Sequence, residues 1–178
     1  VTCDDPMFRP VSIAFGPDGC LYIADWCNRI ISHNEVARDH PARDKIHGRI
    51  WRVRHTGQAA ATITDFTKAP TAELPGALTS DSVWAMRAAW HQIAQRQDRS
   101  VIPGLNALIR NAKVPVDARI HALWSLEELG HFDTGLWRLL LTQPSSDLRR
   151  EAVRALQSLR VPQSAAGPLL RTLADETD

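Results

Sequence analysis

The sequence has 178 residues, of which 44% are hydrophobic, and its 21 basic and 20 acidic side chains give a net charge of +1. These values fit a globular protein of one large or two small domains, and they give no indication of a nucleic-acid-binding or anionic-membrane surface. No apolar run is long enough to cross a bilayer, and the first residues show no signal-peptide pattern. We expect the chain to be a piece of a larger protein.

Residues 1–66 show the alternation of apolar and polar residues that is typical of β-strands. Segments 11–15 and 20–25 alternate in this way, and the Gly-Pro-Asp-Gly sequence at 16–19 favours a tight turn between them. A hairpin is therefore predicted. A third strand is expected over 48–54, with Ile50 and Arg52 on the face opposite Trp51 and Val53, and a weak fourth over 62–66.

A long polar loop, residues 28–47, separates the second and third predicted strands. Its charged side chains either tie the loop to the strands by Arg–Asp pairs, led by Arg43 and Asp44, or form a binding surface. In the second interpretation, histidines exchange protons and arginines bind an anionic group. The candidate binding residues are His33, Arg43, Asp44, His47 and Arg49.

Asp25 and Asn28 follow the end of the second predicted strand and offer oxygen atoms to a hard cation such as calcium. Two such ligands are too few for a complete site. The other interpretation is that both side chains bind local backbone and shape the turn. The three cysteines (Cys3, Cys20 and Cys27) lack zinc-site spacing, and either stay free or form one pair such as Cys3–Cys27.

After a predicted linker at 67–80, which contains Pro70, Pro75 and Gly76, the apolar residues recur at helical spacing. Residues 81–178 predict an all-α domain of six helices arranged as three pairs. Prolines, glycines and capping residues mark the ends of these helices. They are expected near 83–93, 102–109, 117–129, 134–141, 147–159 and 168–173.

The helical part contains an internal repeat. Asp117, Arg119, Ala122 and Leu126 recur 30 residues later as Asp147, Arg149, Ala152 and Leu156. A period of this size, filled by two short helices, is typical of an α-solenoid. We expect the repeated Asp at a helix N-terminus and the repeated Arg in a bridge to the Asp of a neighbouring repeat.

The segment 8–31 (FRPVSIAFGPDGCLYIADWCNRII) resembles an NHL-type β-propeller blade. Together with 39–52 (DHPARDKIHGRIWR), it is similar to membrane-bound dehydrogenases of the quinoprotein and sorbosone type. The match covers about a third of the chain. In that family a propeller is followed by HEAT-like repeats.

The resemblance implies a mixed fold, in which a terminal propeller blade (1–66) precedes a HEAT-like α-α superhelix. It implies that the parent is an exported or periplasmic enzyme that oxidises a sugar or alcohol, with pyrroloquinoline quinone and calcium as possible cofactors. No Cys-x-x-Cys-His haem motif is present. One blade cannot close a ring, so this chain alone is expected to be inactive.

Within that family, the helical repeats are expected to act as a scaffold for a protein partner or for adjacent domains. A second hypothesis is a stand-alone HEAT-like protein-binding module whose β part caps the helical array. A third is a repeat protein acting as a lyase on a bilin chromophore, against which the blade motif argues.

Overall fold

A computed structural model describes residues 2–32, 35–57, 59 and 61–173 and divides the chain into two compact units, Val1–Ile63 and Thr64–Asp178. The first unit holds strands and the second holds helices, so the predicted order of a strand region followed by a helical region is confirmed. Within the described residues, none of the helices has the length and apolarity needed to cross a membrane.

The first unit contains an antiparallel sheet of three strands in the order β1-β2-β3. The predicted hairpin and third strand are confirmed. The prediction of a weak fourth strand is wrong, because the backbone of 62–66 pairs with no neighbouring strand. The strands are β1 (Pro10–Phe15), β2 (Leu21–Asp25) and β3 (Arg49–Val53).

One face of this sheet is apolar. Residues paired directly across antiparallel strands project to the same side, and two such rows cross all three strands. On this face Ile13 and Phe15 are 68% and 73% exposed, although both are large apolar side chains. The rows are Phe15–Leu21–Val53 and Ile13–Ile23–Trp51.

The first unit has almost no apolar core. Among its described residues, Cys20 and Ile23 are the buried apolar side chains, whereas Asp18, Asp25 and Asn28 are buried polar ones. Polar contacts therefore hold this unit together more than apolar burial does. The three cysteines are free.

The second unit contains seven α-helices within the described residues. Its core is a single cluster of apolar side chains drawn from all seven helices and their connections. The α-helices are α1 (Leu74–Ala77), α2 (Val83–Arg96), α3 (Ile102–Arg110), α4 (Val116–Glu128), α5 (Thr134–Leu141), α6 (Ser146–Ser158) and α7 (Gln163–Leu170).

The predicted repeat corresponds to repeated structure. Helices α4 and α6 both have 13 residues, and their first residues, Val116 and Ser146, lie 30 positions apart. Helix α4 packs against both α2 and α6, while α3 packs on α4 and α5 packs on α6. The small residues Ala122 and Ala152 are fully buried, which lets neighbouring helices approach closely.

The repeated arginines bind backbone carbonyls. Arg119 donates from Nε to the carbonyl oxygen of Ile109 in the last turn of α3, and to the Gln143 side chain. Arg149 donates to the carbonyl oxygens of Gln143 and Pro144, just beyond α5. The expected bridge from Arg119 to an Asp of a neighbouring repeat is wrong, because the unpaired carbonyls at a helix C-terminus lie closer to this buried cation.

Two expectations for the helical part differ from the structure. The segment 67–80 is more than a linker, since it contains α1, and Leu74 and Leu78 are completely buried in the helical core. The last helix begins at Gln163 and contains Pro168, whereas it was expected to begin at Pro168. Pro162 supplies the helix start, because it lies immediately before the first helical residue.

Candidate functional site

Asp25 organises the end of β2. Its Oδ1 accepts hydrogen bonds from the backbone N–H groups of Arg9 and Cys27, and its Oδ2 accepts from Arg49 Nε and Trp51 Nε1. These four contacts are 2.7–2.9 Å long. The carboxylate therefore joins the approach to β1, the turn after β2 and strand β3.

The donors around Asp25 also set its ionisation. Burial raises the pKa of a carboxyl group, but the hydrogen bonds from the four donors favour the charged form more strongly. The net result lowers the pKa of Asp25 from 3.8 to about 2. Arg49 binds Asp5 as well as Asp25 and lies over the Trp51 ring, 5.0 Å from its centroid.

Asp18 plays the corresponding role at the opposite end of β2. Its Oδ1 accepts from the Cys20 N–H, and its Oδ2 accepts from the Tyr22 hydroxyl and from Arg52 Nε. Burial opposes ionisation, yet these hydrogen bonds hold the pKa of Asp18 well below its usual range. Each end of β2 thus carries a buried carboxylate that is paired with an arginine of β3.

Arg43 fixes the path of the 28–47 loop. Its guanidinium donates to the carbonyl oxygens of Ser32, Val36 and Ala37 over 2.5–3.0 Å. The loop residue expected to lead in Arg–Asp pairing therefore binds backbone instead. The expected Arg–Asp pairing by Arg43 and Asp44 is wrong, because carbonyls of the curved loop already surround the guanidinium.

Asp44 closes a turn at the C-terminal end of the loop. Its Oδ1 accepts from the N–H groups of Ile46 and His47, and its carboxylate contacts His47 Nδ1 at 2.9 Å. The two backbone donors and the histidine lower the pKa of Asp44. Asn28 connects this turn to the end of β2, because its Nδ2 donates to the Asp44 carbonyl oxygen at 2.8 Å.

The oxygens of the proposed calcium ligands already accept hydrogen bonds. Asp25 accepts two on each oxygen, and Asn28 Oδ1 accepts from the Ile30 N–H. Among the residues that the structure describes, no group of three or more His, Cys, Asp or Glu side chains is placed to hold a metal ion. This pair therefore does not fit a calcium site.

Two cavities lie along the loop and share Arg43, Asp44 and Lys45 in their walls. The larger has a volume of about 640 Å³, and the smaller has about 490 Å³. Both are open depressions in the surface of the loop. The larger is also lined by Arg29, His40 and His47, and the smaller by Trp26, Asn28 and Arg38.

Residues 1–57 match the family model of DUF7133, a domain of unknown function. The match covers the strands and the loop that forms both cavities, and it leaves the helical unit outside. No curated protein matches the chain.

The structure brings together three of the predicted binding residues. Arg43, Asp44 and His47 line the larger cavity, whereas Arg49 lies on β3 with Asp5 and Asp25. His33 lies outside the described residues. The cavities are also lined by residues that were not among the predicted candidates: Trp26, Arg29, Arg38 and Lys45.

Proposed function

We propose that this chain is the terminal blade and helical scaffold of a propeller-type sugar or alcohol dehydrogenase. The observation that carries the proposal is the apolar face of the sheet formed by the rows Phe15–Leu21–Val53 and Ile13–Ile23–Trp51, on which Ile13 and Phe15 are largely exposed although Ile23 is buried. An isolated three-stranded sheet with so little buried apolar surface is marginally stable, and an apolar face of this kind normally packs on another sheet. A neighbouring blade of a propeller would supply that sheet.

The dehydrogenase part of the proposal rests on the resemblance of 8–31 and 39–52 to quinoprotein and sorbosone-type enzymes. The residues that would bind a quinone or a sugar belong to other blades in this proposal. We infer that this chain contributes shape and stability while the chemistry takes place elsewhere. Export to the periplasm is part of the same proposal, on the same grounds.

The helical unit suits a scaffold of HEAT-like repeats. Helices α2, α4 and α6 pack in sequence, and α4 and α6 repeat at 30 residues. A row of partly exposed rings runs across α2 and α4, in which Trp90 and Trp124 lie 5.5 Å apart and His121 lies 4.9 Å from Trp124. This row also favours the second candidate function, a stand-alone protein-binding module.

The experiment begins with the complete reading frame that encodes this sequence. Further blades of about 40–50 residues each should precede it, and the full-length product should reduce a dye with an aldose or alcohol when quinone and calcium are supplied. In that protein, Ile13→Lys combined with Phe15→Lys should lower the melting temperature, because two charges would enter the interface between blades. Ile46→Lys is the matched control, since Ile46 is 86% exposed and lies away from the sheet face.

A reading frame without further blades would overturn the propeller assignment and favour the stand-alone module. A full-length protein with the blades but no dye reduction would overturn the dehydrogenase assignment alone. Equal melting temperatures for the double variant and for Ile46→Lys would show that the sheet face stays uncovered.

A further inference from the structure

The smaller loop cavity combines an aromatic surface with cations that have no acidic partner. Trp26 is 40% exposed and lines the cavity together with Arg38 and Lys45. Among the described residues, neither Arg38 nor Lys45 makes an ion pair or a side-chain hydrogen bond. Their charges are therefore available to a ligand.

The charge balance of the walls favours an anion. Across both cavities, the lining includes four arginines and lysines against two carboxylates, a net charge of +2 with neutral histidines. One of those carboxylates, Asp44, is already occupied by two backbone donors and by His47. An anionic group entering the smaller cavity would thus meet cations with little competition from side chains of its own sign.

The backbone that carries the walls of this cavity is fixed by hydrogen bonds within the strand unit. Asn28 is buried and joins the turn after Trp26 to the carbonyl of Asp44. Arg43 binds three carbonyls and fixes the other side of the loop. A preformed site of this kind binds more tightly than a loop that has to become ordered at the same time.

We propose that the cavity lined by Trp26, Arg38 and Lys45 binds a small organic anion with a flat apolar face. The apolar face lies on the indole of Trp26, and the carboxylate or phosphate group lies at Arg38 and Lys45. Aromatic side chains supply flat contact area, and the arginine fork suits the paired oxygens of either anion. The inference does not depend on the propeller proposal, because the cavity is lined by residues of the loop and of the turn after β2 and needs no residue from another blade.

The test uses the whole chain and follows backbone and indole N–H signals by NMR during titration. Benzoate and phenyl phosphate should shift the Trp26 indole and the amides of 43–46, and the tighter of the two identifies the preferred anionic group. Acetate lacks the ring and benzyl alcohol lacks the charge, so each should bind at least about tenfold more weakly.

Arg38→Glu and Lys45→Glu should each weaken benzoate and phenyl phosphate binding by about tenfold or more. Lys113→Glu is the matched control, because Lys113 is exposed on the helical unit. Trp26→Ala should remove the preference for benzoate over acetate, and unchanged signals from the rest of the chain would verify that the variant is folded. Equal weakening by Lys113→Glu, equal binding of benzyl alcohol, or no shift at Trp26 with any probe would overturn the proposal.

Discussion

Asp25 connects three parts of the strand unit, because one carboxylate joins β3, the turn after β2 and the approach to β1. Its pKa is about 2 in the folded protein, compared with an ordinary value of 3.8. A carboxyl group with a lowered folded-state pKa stabilises the fold fully above its unfolded pKa, and that contribution is lost as the pH falls through the folded pKa. We therefore expect the strand unit to lose stability between about pH 4 and pH 2.

Amide hydrogen exchange of β1, β2 and β3 measures this loss. In Asp25→Asn the amides of the strands should have lower protection factors at pH 7. The further fall in these protection factors below pH 4 should become smaller, because the titrating group is gone. Asp4→Asn is the control, since Asp4 is exposed in the same unit. A full acid response in Asp25→Asn would show that other carboxyl groups account for it.

Gly16 is a second residue with a specific role. A Cβ atom at this position would overlap with Cε2 of the Tyr22 ring. Gly16→Ala should therefore push the ring aside, weaken the 3.0 Å hydrogen bond from Tyr22 to Asp18 and cost about 1–3 kcal/mol of unfolding free energy. Gly48→Ala is the matched change, because its nearest contact is an ordinary 3.6 Å, and it should be close to neutral in the same denaturant melt.

Among the elements, α6 shows what a repeated helix contributes. Leu156 is 4% exposed and belongs to the helical core, whereas Leu170 at the end of α7 is 38% exposed. Leu156→Ala should lower the unfolding free energy by about 2–5 kcal/mol through loss of apolar contacts and creation of a cavity. Leu170→Ala should have a much smaller effect in the same urea titration, and equal effects would mean that α6 is not part of a continuous core.

Several elements could be predicted from sequence, because their signals are local. Strict alternation of apolar and polar residues around the Gly-Pro-Asp-Gly turn predicted β1 and β2. The pair Asp117 and Arg119 is repeated 30 residues later as Asp147 and Arg149, and this repeat predicted the matched helices α4 and α6. The helix α1 within the expected linker was missed, because Pro75 and Gly76 suggest a break. The tertiary core buries Leu74 at the start of this helix and Leu78 just after its end, and the local sequence does not reveal that burial.

The candidate site was less predictable, because charged residues in a loop carry no periodicity. The sequence drew attention to Arg43, Asp44 and Arg49, yet these are the side chains that bind carbonyls, turn amides and buried carboxylates. The available cations are Arg38 and Lys45, and only the folded structure shows that neither of them forms an ion pair with any residue that the structure describes. Trp26 was not among the candidate residues, yet its side chain is 40% exposed at the smaller cavity.

At the scale of the whole molecule, the two units differ in how they are stabilised. The apolar core cluster consists entirely of residues from the second unit. A polypeptide of residues 64–178 should therefore fold by itself with a cooperative thermal transition and the helical circular dichroism of the intact chain. Residues 1–63 alone should show weak protection of their amides, and a non-cooperative transition for 64–178 would contradict this division.

The proposed role in a propeller leads to a further expectation about activity. The 178-residue chain alone should show only background dye reduction with a panel of aldoses, quinone and calcium, because a single blade does not enclose a central pocket. The full-length protein serves as the positive control. Turnover by the isolated chain would place catalysis in the 28–47 loop, which contains His47 and Arg43.

The carbonyl-binding arginines of α4 and α6 bear on how this chain could have grown in evolution. Each 30-residue unit brings an arginine, Arg119 or Arg149, that completes the helix end of the unit before it. A tandem duplication of residues 116–145 would place the new arginine next to carbonyls equivalent to those of Gln143 and Pro144. Gain or loss of a whole 30-residue unit would therefore leave the helix ends paired, whereas insertions of other lengths would break the match.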